Sequence, residues 1–234
     1  MERLDKRLAA TGRWSRKEAK ELIRAGRVTV DDQVCRAPEG KVDGGAPIRV
    51  DGTPLEEAGP VYLMLNKPAG LVSATRDPRQ PTVLSLLPER YRRRGLFPAG
   101  RLDRDTEGLL LLTDDGPLAH RLLSPRSHVD KVYYLEVDGV LDREDCRAVE
   151  AGLELADGTV CRPGTLELLE GGRAAHLTIH EGKYHQVKRM MAARGKPVTR
   201  LVRVAFGPLR LDEGLPAGGW RALTEEEIRA LFRQ

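Results

Sequence analysis

Four consecutive leucines, Leu109-Leu110-Leu111-Leu112, lie between a charged, glycine-flanked stretch and Thr113-Asp114-Asp115-Gly116. Such a run needs burial on both faces, so the segment reads as a central strand or a buried turn of chain. Either way it demands a core deep enough to enclose it. A chain of 234 residues, 40% of them hydrophobic, can build that core in one or two domains. Its 24 glycines and 15 prolines are about one residue in six, below the ~25–30% of low-complexity chains.

Several classes are disfavoured. No stretch of ~18 apolar residues exists, so no membrane-spanning helix is expected. The opening residues Met1 to Arg7 lack the apolar run of a secretory signal. Cys35, Cys146 and Cys161 are odd in number and form no C-x-x-C pair. A disulfide framework or zinc ribbon is therefore not expected, and a reducing, cytoplasmic setting fits. There is no P-loop, no G-x-G-x-x-G after a strand and no G-x-S-x-G. His176 and His180 are four apart, but on a strand-like stretch with no cysteine pair, so zinc is not expected. Asp103, Asp105, Glu107, Gly108 and Asp114 mimic a calcium loop. Its twelfth position is Asp rather than Glu, however, and the preceding Gly95 to Gly100, with Pro98, cannot be a helix. No metal is expected.

The formal charge of +4 is unevenly spread. Residues 1–30 carry nine Lys/Arg against four acids, and residues 183–203 carry seven Lys/Arg and no acid. Positive charge gathered in two places suggests a polyanion partner. A third basic tract, residues 88–104, includes Arg92-Arg93-Arg94.

In the first sixty residues, a short helix is expected from Leu4 to Ala9. Ser15-Arg16-Lys17-Glu18 forms a capping box, Ala19, Leu22 and Ile23 follow at helical spacing, and Gly26 supplies the left-handed stop. Arg16, Lys20 and Arg24 lie at i, i+4 and i+8 and share one face, where their like charges repel and no acid relieves them. This face is either an ordinary solvated surface or, as favoured here, a ridge whose repulsion is relieved when a phosphate backbone docks. The period then changes to two. Val28 to Val30, the turn Asp31-Asp32 and Gln33 to Cys35 predict a hairpin, and Ile48 to Val50 with Asp51-Gly52 predicts another strand and turn. Glu56 to Pro60 has no periodicity and reads as a linker.

Beyond it, Val61 to Leu65 is a strand ended by Pro68 and Gly70. Pro117 suits the start of a short helix through Leu123, with Asp115 or Gly116 near the cap. Lys131 to Val137 alternates like a strand. Tyr184 to Arg194 predicts a helix on Val187, Met190 and Met191, closed by Gly195 and Pro197. A strand from Leu201 to Leu211 is broken at Gly207-Pro208, and Thr224 to Glu227 is a second capping box.

The residues Arg3-Leu4-Asp5-Lys6-x-Leu8, Ser15-Arg16-x-x-Ala19, Ile23 and Gly26-Arg27-Val28-x-Val30 resemble the S4 RNA-binding domain. Behind them come Asn66-Lys67-Pro68-x-Gly70, Gly100-Arg101-Leu102-Asp103, Lys131-x-Tyr133 and Glu181 through Met190, in that order. Together these resemble the Rsu-type branch of RNA pseudouridine synthases. The resemblance spans almost the whole chain. It implies an α+β protein: an S4 domain over residues 1–58, then residues 61–234 as a catalytic domain built on a mixed, mainly antiparallel sheet with flanking helices.

The resemblance also implies the chemistry. Uridine within RNA is isomerised: the N1–C1′ bond breaks, uracil turns, and C5 bonds to C1′. No cofactor is needed. Chemistry alone does not single out Asp103 among the carboxylates; the resemblance does. It maps the family's essential aspartate onto Asp103, the basic partner onto Lys188 and the active-site tyrosine onto Tyr133, with Tyr134 one register step away. Whether Asp103 is nucleophile or acid/base stays open. Arg16, Lys20 and Arg24 would hold RNA, with Lys67, Arg101 and Lys183 as lesser candidates for phosphate contact or for shaping the pocket. Tyr184-His185-Gln186-Val187-Lys188 resembles the small-subunit enzymes, which implies ribosomal RNA as partner, free or in an assembly intermediate, with uridine 516 of 16S as the target. A monomer is expected. The alternatives are a large-subunit (23S) enzyme and a non-catalytic S4-type RNA-binding or assembly factor.

Overall fold

The computed structural model describes residues 1–55, 59–124 and 129–233. The chain forms two compact units. One joins Met1–Val61 with Leu87–Phe97; the other joins Tyr62–Leu86 with Pro98–Gln234. Of the expected linker, Glu56, Glu57 and Ala58 lie outside the described residues.

In the first unit, α1 (Leu4–Ala10) and α2 (Arg16–Arg24) precede a small antiparallel sheet. Its strands are β1 (Val28–Val30), β2 (Gln33–Cys35), β3 (Ile48–Val50) and β4 (Thr53–Pro54), in the order β2-β1-β3-β4. The predicted capping box is present: Ser15 Oγ accepts from Glu18 N at 3.2 Å and Ser15 N donates to Glu18 Oε2 at 2.6 Å. Both hairpin turns place their aspartates at positive φ, Asp31 and Asp32 in the first and Asp51 before Gly52 in the second. That geometry matches the right-handed strand twist, and Asp and Gly tolerate it. Leu4, Leu8, Ala19, Ile23 and Val28 make the core.

Two expectations change here. The basic segment α3 (Glu89–Arg94), read from sequence as part of the larger domain, belongs to this first unit. Arg93 pairs there with Glu18 and Glu89, both at 2.8 Å. The ridge is also not unrelieved. Asp5 of α1 is fully buried and accepts from Arg3 at 2.9 and 3.0 Å; Arg16 lies 3.4 Å and Lys20 3.9 Å from the same carboxylate. Helix periodicity shows only the acids on one helix, and this acid comes from its neighbour. Arg24 is exposed on α2.

The larger unit is built on β5 (Tyr62–Lys67), β6 (Glu107–Thr113), β7 (Lys131–Val137), β8 (Thr165–Leu168), β9 (Ala174–Ile179), β10 (Val198–Phe206) and β11 (Trp220–Ala222). The main path of its sheet runs β8-β9-β7-β10-β6-β5-β11. The β6–β10 pair is parallel and the other pairs along that path are antiparallel, so the sheet is mixed and mainly antiparallel. The helices are α4 (Gly116–Leu123), α5 (Arg143–Ala151), α6 (Gln186–Ala193) and α7 (Glu225–Phe232). Leu109 to Leu112 are all fully buried in β6, near the middle of the sheet. Gly108, at φ +100°, opens that strand: a Cβ there would meet Arg203 O at 2.3 Å, so only glycine lets β6 approach β10. Helix α6 starts at Gln186, two residues later than its periodicity suggests, because His185 takes left-handed backbone at φ 47°, ψ 34°.

The buried Asp5 yields a prediction. The Arg3 hydrogen bonds hold its pKa down at about 2, against 3.8 for a free aspartate. A folded-state pKa below the unfolded one adds stability at neutral pH that is lost as pH falls from about 4 towards 2. Asp5→Asn should cost the full chain ~2–3 kcal/mol at pH 7, because three cations lose an anionic partner. The gap between variant and wild type should close in acid, as read by urea denaturation at several pH values.

Candidate active site

The segment that carries Asp103 is pinned from below and from the side. Lys67, the last residue of β5, is fully buried, and its ammonium donates to Pro68 O at 3.0 Å, Arg104 O at 3.1 Å and Thr106 O at 2.7 Å. Burial pushes its pKa down to about 8, while the nearby carboxylates of Asp105, Asp103 and Glu107 favour the charged form. Ser73 Oγ donates to Leu102 O at 2.9 Å and accepts from Leu102 N at 3.1 Å. Gly70 N donates to Arg104 O at 2.7 Å. The residues on either side of Asp103 are therefore fixed, and its carboxylate is left about a third exposed.

Lys188 reaches that carboxylate from α6. Its Nζ donates to Asp103 Oδ2 at 3.1 Å and to Asp105 Oδ1 at 2.5 Å. Burial alone would lower the Lys188 pKa; the hydrogen bonds to Asp105 and Asp103 outweigh it and raise the value. Asp105 is held below the ordinary aspartate range by the same ammonium. His185 Nε2 lies 3.6 Å from Asp103 Oδ1. The turn before α6 is organised by the buried Gln186, which accepts from Lys183 N at 2.9 Å and donates to Glu181 at 2.7 Å.

Asp103 and Lys188 face a cavity of about 770 Å³, within the ~300–1,000 Å³ common for small-molecule pockets. Tyr133, Arg101 and Lys183 also line it. Tyr133 is buried. Tyr134 points to the other face of β7, where its hydroxyl donates to Glu136 at 2.9 Å and its ring meets His176 edge-on. The strand register thus separates the two tyrosines.

Two of these candidates are engaged within the fold. Lys67 has no exposed surface, and its ammonium is bonded to three main-chain oxygens. Lys183 directs its ammonium to Glu181 at 2.6 Å and Val160 O at 2.9 Å. The basic tract 183–203 is also less free than its composition suggests. Arg189 pairs with Asp157, Arg194 and Lys196 with Asp145, and Arg200 with Glu107 and Glu136. Arg16, Lys20 and Arg24 lie in the first unit, apart from this cavity's lining. Ser73, Asp105, His185 and Arg203 were missed by the sequence reading. Asp105 carried a readable signal, two residues from Asp103; a lone Ser73 or a strand arginine carries none.

The pinning has a measurable consequence. Lys67→Met keeps the bulk but removes the ammonium from Pro68 O and Thr106 O, while Arg104 O keeps the Gly70 N–H. Each buried unpaired group costs ~1–3 kcal/mol, so a loss of at least ~2 kcal/mol is expected in thermal or urea denaturation. Ser73→Ala should cost about 1 kcal/mol in the same measurement.

Comparison with known proteins agrees with this architecture. The family model for RNA pseudouridylate synthase matches residues 61–193, and that for the S4 domain matches residues 2–48. The RNA pseudouridine synthase YtzG of Bacillus subtilis (strain 168) is 46% identical over 233 residues, covering 98% of each chain. Ribosomal small subunit pseudouridine synthase A of Pseudomonas aeruginosa is 46% identical over 228 residues, 97% of this chain and 98% of its own. The protein of that name from Escherichia coli (strain K12) is 42% identical over 231 residues, 98% of this chain and 99% of its own. A pseudouridylate synthase crystal structure superposes with a TM-score of 0.70 at 36% identity, covering 99% of this chain and 100% of that one.

Proposed function

Since this chain belongs to the RNA pseudouridylate synthase family, we propose that it converts uridine to pseudouridine in small-subunit ribosomal RNA, at uridine 516 of 16S, with Asp103 as the catalytic residue. The observation that carries the reading is the Asp103–Lys188 pair, 3.1 Å apart, at a cavity also lined by Tyr133. A carboxylate with one ammonium beside it keeps its negative charge while staying open to a substrate. The backbone pins at Leu102 and Arg104 fix its direction, which is what an oriented attack or proton transfer requires.

In the proposed reaction a uridine leaves the stack and enters the cavity. Flipping costs a few kcal/mol, which contacts to the flanking RNA must offset. The glycosidic bond N1–C1′ breaks, the detached uracil turns while held, and C5 bonds to C1′. The C5 hydrogen leaves as a proton and N1 gains one, so the atoms balance without a cofactor. Asp103 serves either as nucleophile or as acid/base from the same position. Tyr133 packs against the base, and its burial on β7 supports that role. Arg16, Lys20 and Arg24 act on the RNA backbone. The small-subunit target draws support from the names of the Pseudomonas and Escherichia relatives and from Tyr184-His185-Gln186-Val187-Lys188.

Two outcomes are expected. Asp103→Ala should abolish pseudouridine formation on naked or partly assembled small-subunit RNA, mapped by chemical probing, with RNA affinity within a few-fold of wild type. Turnover by this variant would remove Asp103 from the chemistry, and modification elsewhere than uridine 516 by the wild type would overturn the target. Replacing Arg16, Lys20 and Arg24 by Gln should weaken RNA binding and flatten its salt dependence, each lost phosphate contact lowering the slope by ~1. An unchanged slope would show that this ridge does not meet phosphate.

A further inference from the structure

Arg203 is only 2% exposed, in mid-strand on β10, yet it contributes to the cavity wall. The alternation that buries Leu201 and Ala205 puts it on their face. Its Nε donates to Leu109 O at 2.8 Å, Tyr133 is its cross-strand partner, and its Nη2 is buried without an acceptor among the described residues. Lys131, two residues before Tyr133, lines the same cavity. Its ammonium donates to Val129 O at 2.9 Å and lies 5.8 Å from the Phe206 ring, while Arg203 Cζ lies 5.1 Å from that ring.

Neither cation forms a salt bridge among the described residues. The acids nearest in effect to Lys131 are Asp130 and Glu181, and both are engaged: Asp130 with His180 and Glu181 with Lys183, each at 2.6 Å. Burying a guanidinium without an anion is costly, and two like charges on one wall repel. Burial lowers the pKa of both groups. A strand that only needed filling would take an aliphatic residue here. The arrangement makes sense if the missing anion arrives with the substrate.

We propose that Arg203 and Lys131 form an anion-stabilising wall that takes up the negative charge of the uracil ring as it detaches from the ribose. The proposal rests on the pseudouridine synthase reading. When N1–C1′ breaks, the electron pair stays on N1 and its charge is shared with O2 and O4. C1′ is left electron-poor or bonded to the Asp103 carboxylate. After rotation, a C5 electron pair forms C5–C1′, the C5 proton leaves to a base, and N1 takes a proton. Attack of Asp103 on the ring would also move charge onto a carbonyl oxygen, so the wall serves both routes. Fixed cations in a water-poor site stabilise such charge more strongly than water does.

The test uses the full-length protein. Arg203→Gln should slow single-turnover pseudouridine formation by about 10²-fold or more, as loss of one charge-stabilising donor does elsewhere. Lys131→Met should slow it in the same direction, Arg203→Lys should recover part of the rate, and RNA affinity should stay within a few-fold. In RNA carrying 5-fluorouridine the ring bears negative charge more easily, so the loss in glycosidic cleavage should shrink. An equal loss with both substrates would mean that Arg203 only supports the fold, and the proposal fails. Independently of turnover, calorimetry with barbiturate, a uracil-like ring that is anionic at neutral pH, should show tighter binding than uracil. Arg203→Gln and Lys131→Met should erase that preference. Barbiturate binding that is equal to uracil's or undetectable overturns the wall. A wild type that makes no pseudouridine would instead count against the functional reading, with the barbiturate comparison still deciding the wall.

Discussion

One buried ammonium holds the reactive geometry. Lys67 ends a strand inside the sheet, and two of its three hydrogen bonds go to main-chain oxygens of the segment that presents Asp103, Arg104 O and Thr106 O. A lysine is suited to this because its point charge carries three rotatable donors. Loops with few backbone bonds move; this one is bonded at Leu102, Arg104 and Thr106, so Asp103 stands on a rigid base. The demand for order extends to β6, whose glycine entrance lets it press on β10 and whose four leucines lie inside the sheet. The carboxylate is exposed because everything around its backbone is not.

Sequence periodicity and turn chemistry carried far here because they are local rules. The capping boxes at Ser15 and Thr224, the hairpin turns at Asp31-Asp32 and Asp51-Gly52, and the buried Leu109 to Leu112 all follow from residues close in the chain. Motifs placed Asp103, Tyr133 and Lys188, and the fold brings all three to one cavity. What stayed hidden depends on long-range pairing. Asp5 meets Arg16 and Lys20 only because two helices cross, and Ser73 meets Leu102 only because two loops lie side by side. The start of α6 moved for a backbone reason, the left-handed His185, that no hydrophobic pattern encodes. Lys67 was visible as a motif residue, but its burial was not, so phosphate contact seemed open to it.

The basic tract 183–203 shows the same limit in electrostatic form. As a string it has seven cations and no acid; in three dimensions acids outside the tract answer six of them. Lys183 meets Glu181, Lys188 meets Asp103 and Asp105, and Arg194 with Lys196 meets the buried Asp145. Pairing of this kind anchors α6 and β10 to the rest of the unit rather than advertising a binding surface. Against that background Arg203 is the exception, a buried cation of the tract bonded to a main-chain oxygen but to no acid among the described residues. Charge that a fold neutralises almost everywhere, and leaves uncompensated at its cavity, is charge placed for a ligand. A neutral uracil would gain little from it. A uracil parted from its ribose and holding the bonding electrons would gain most, and only for as long as that state lasts, which is the condition for speeding the reaction rather than tightening substrate binding.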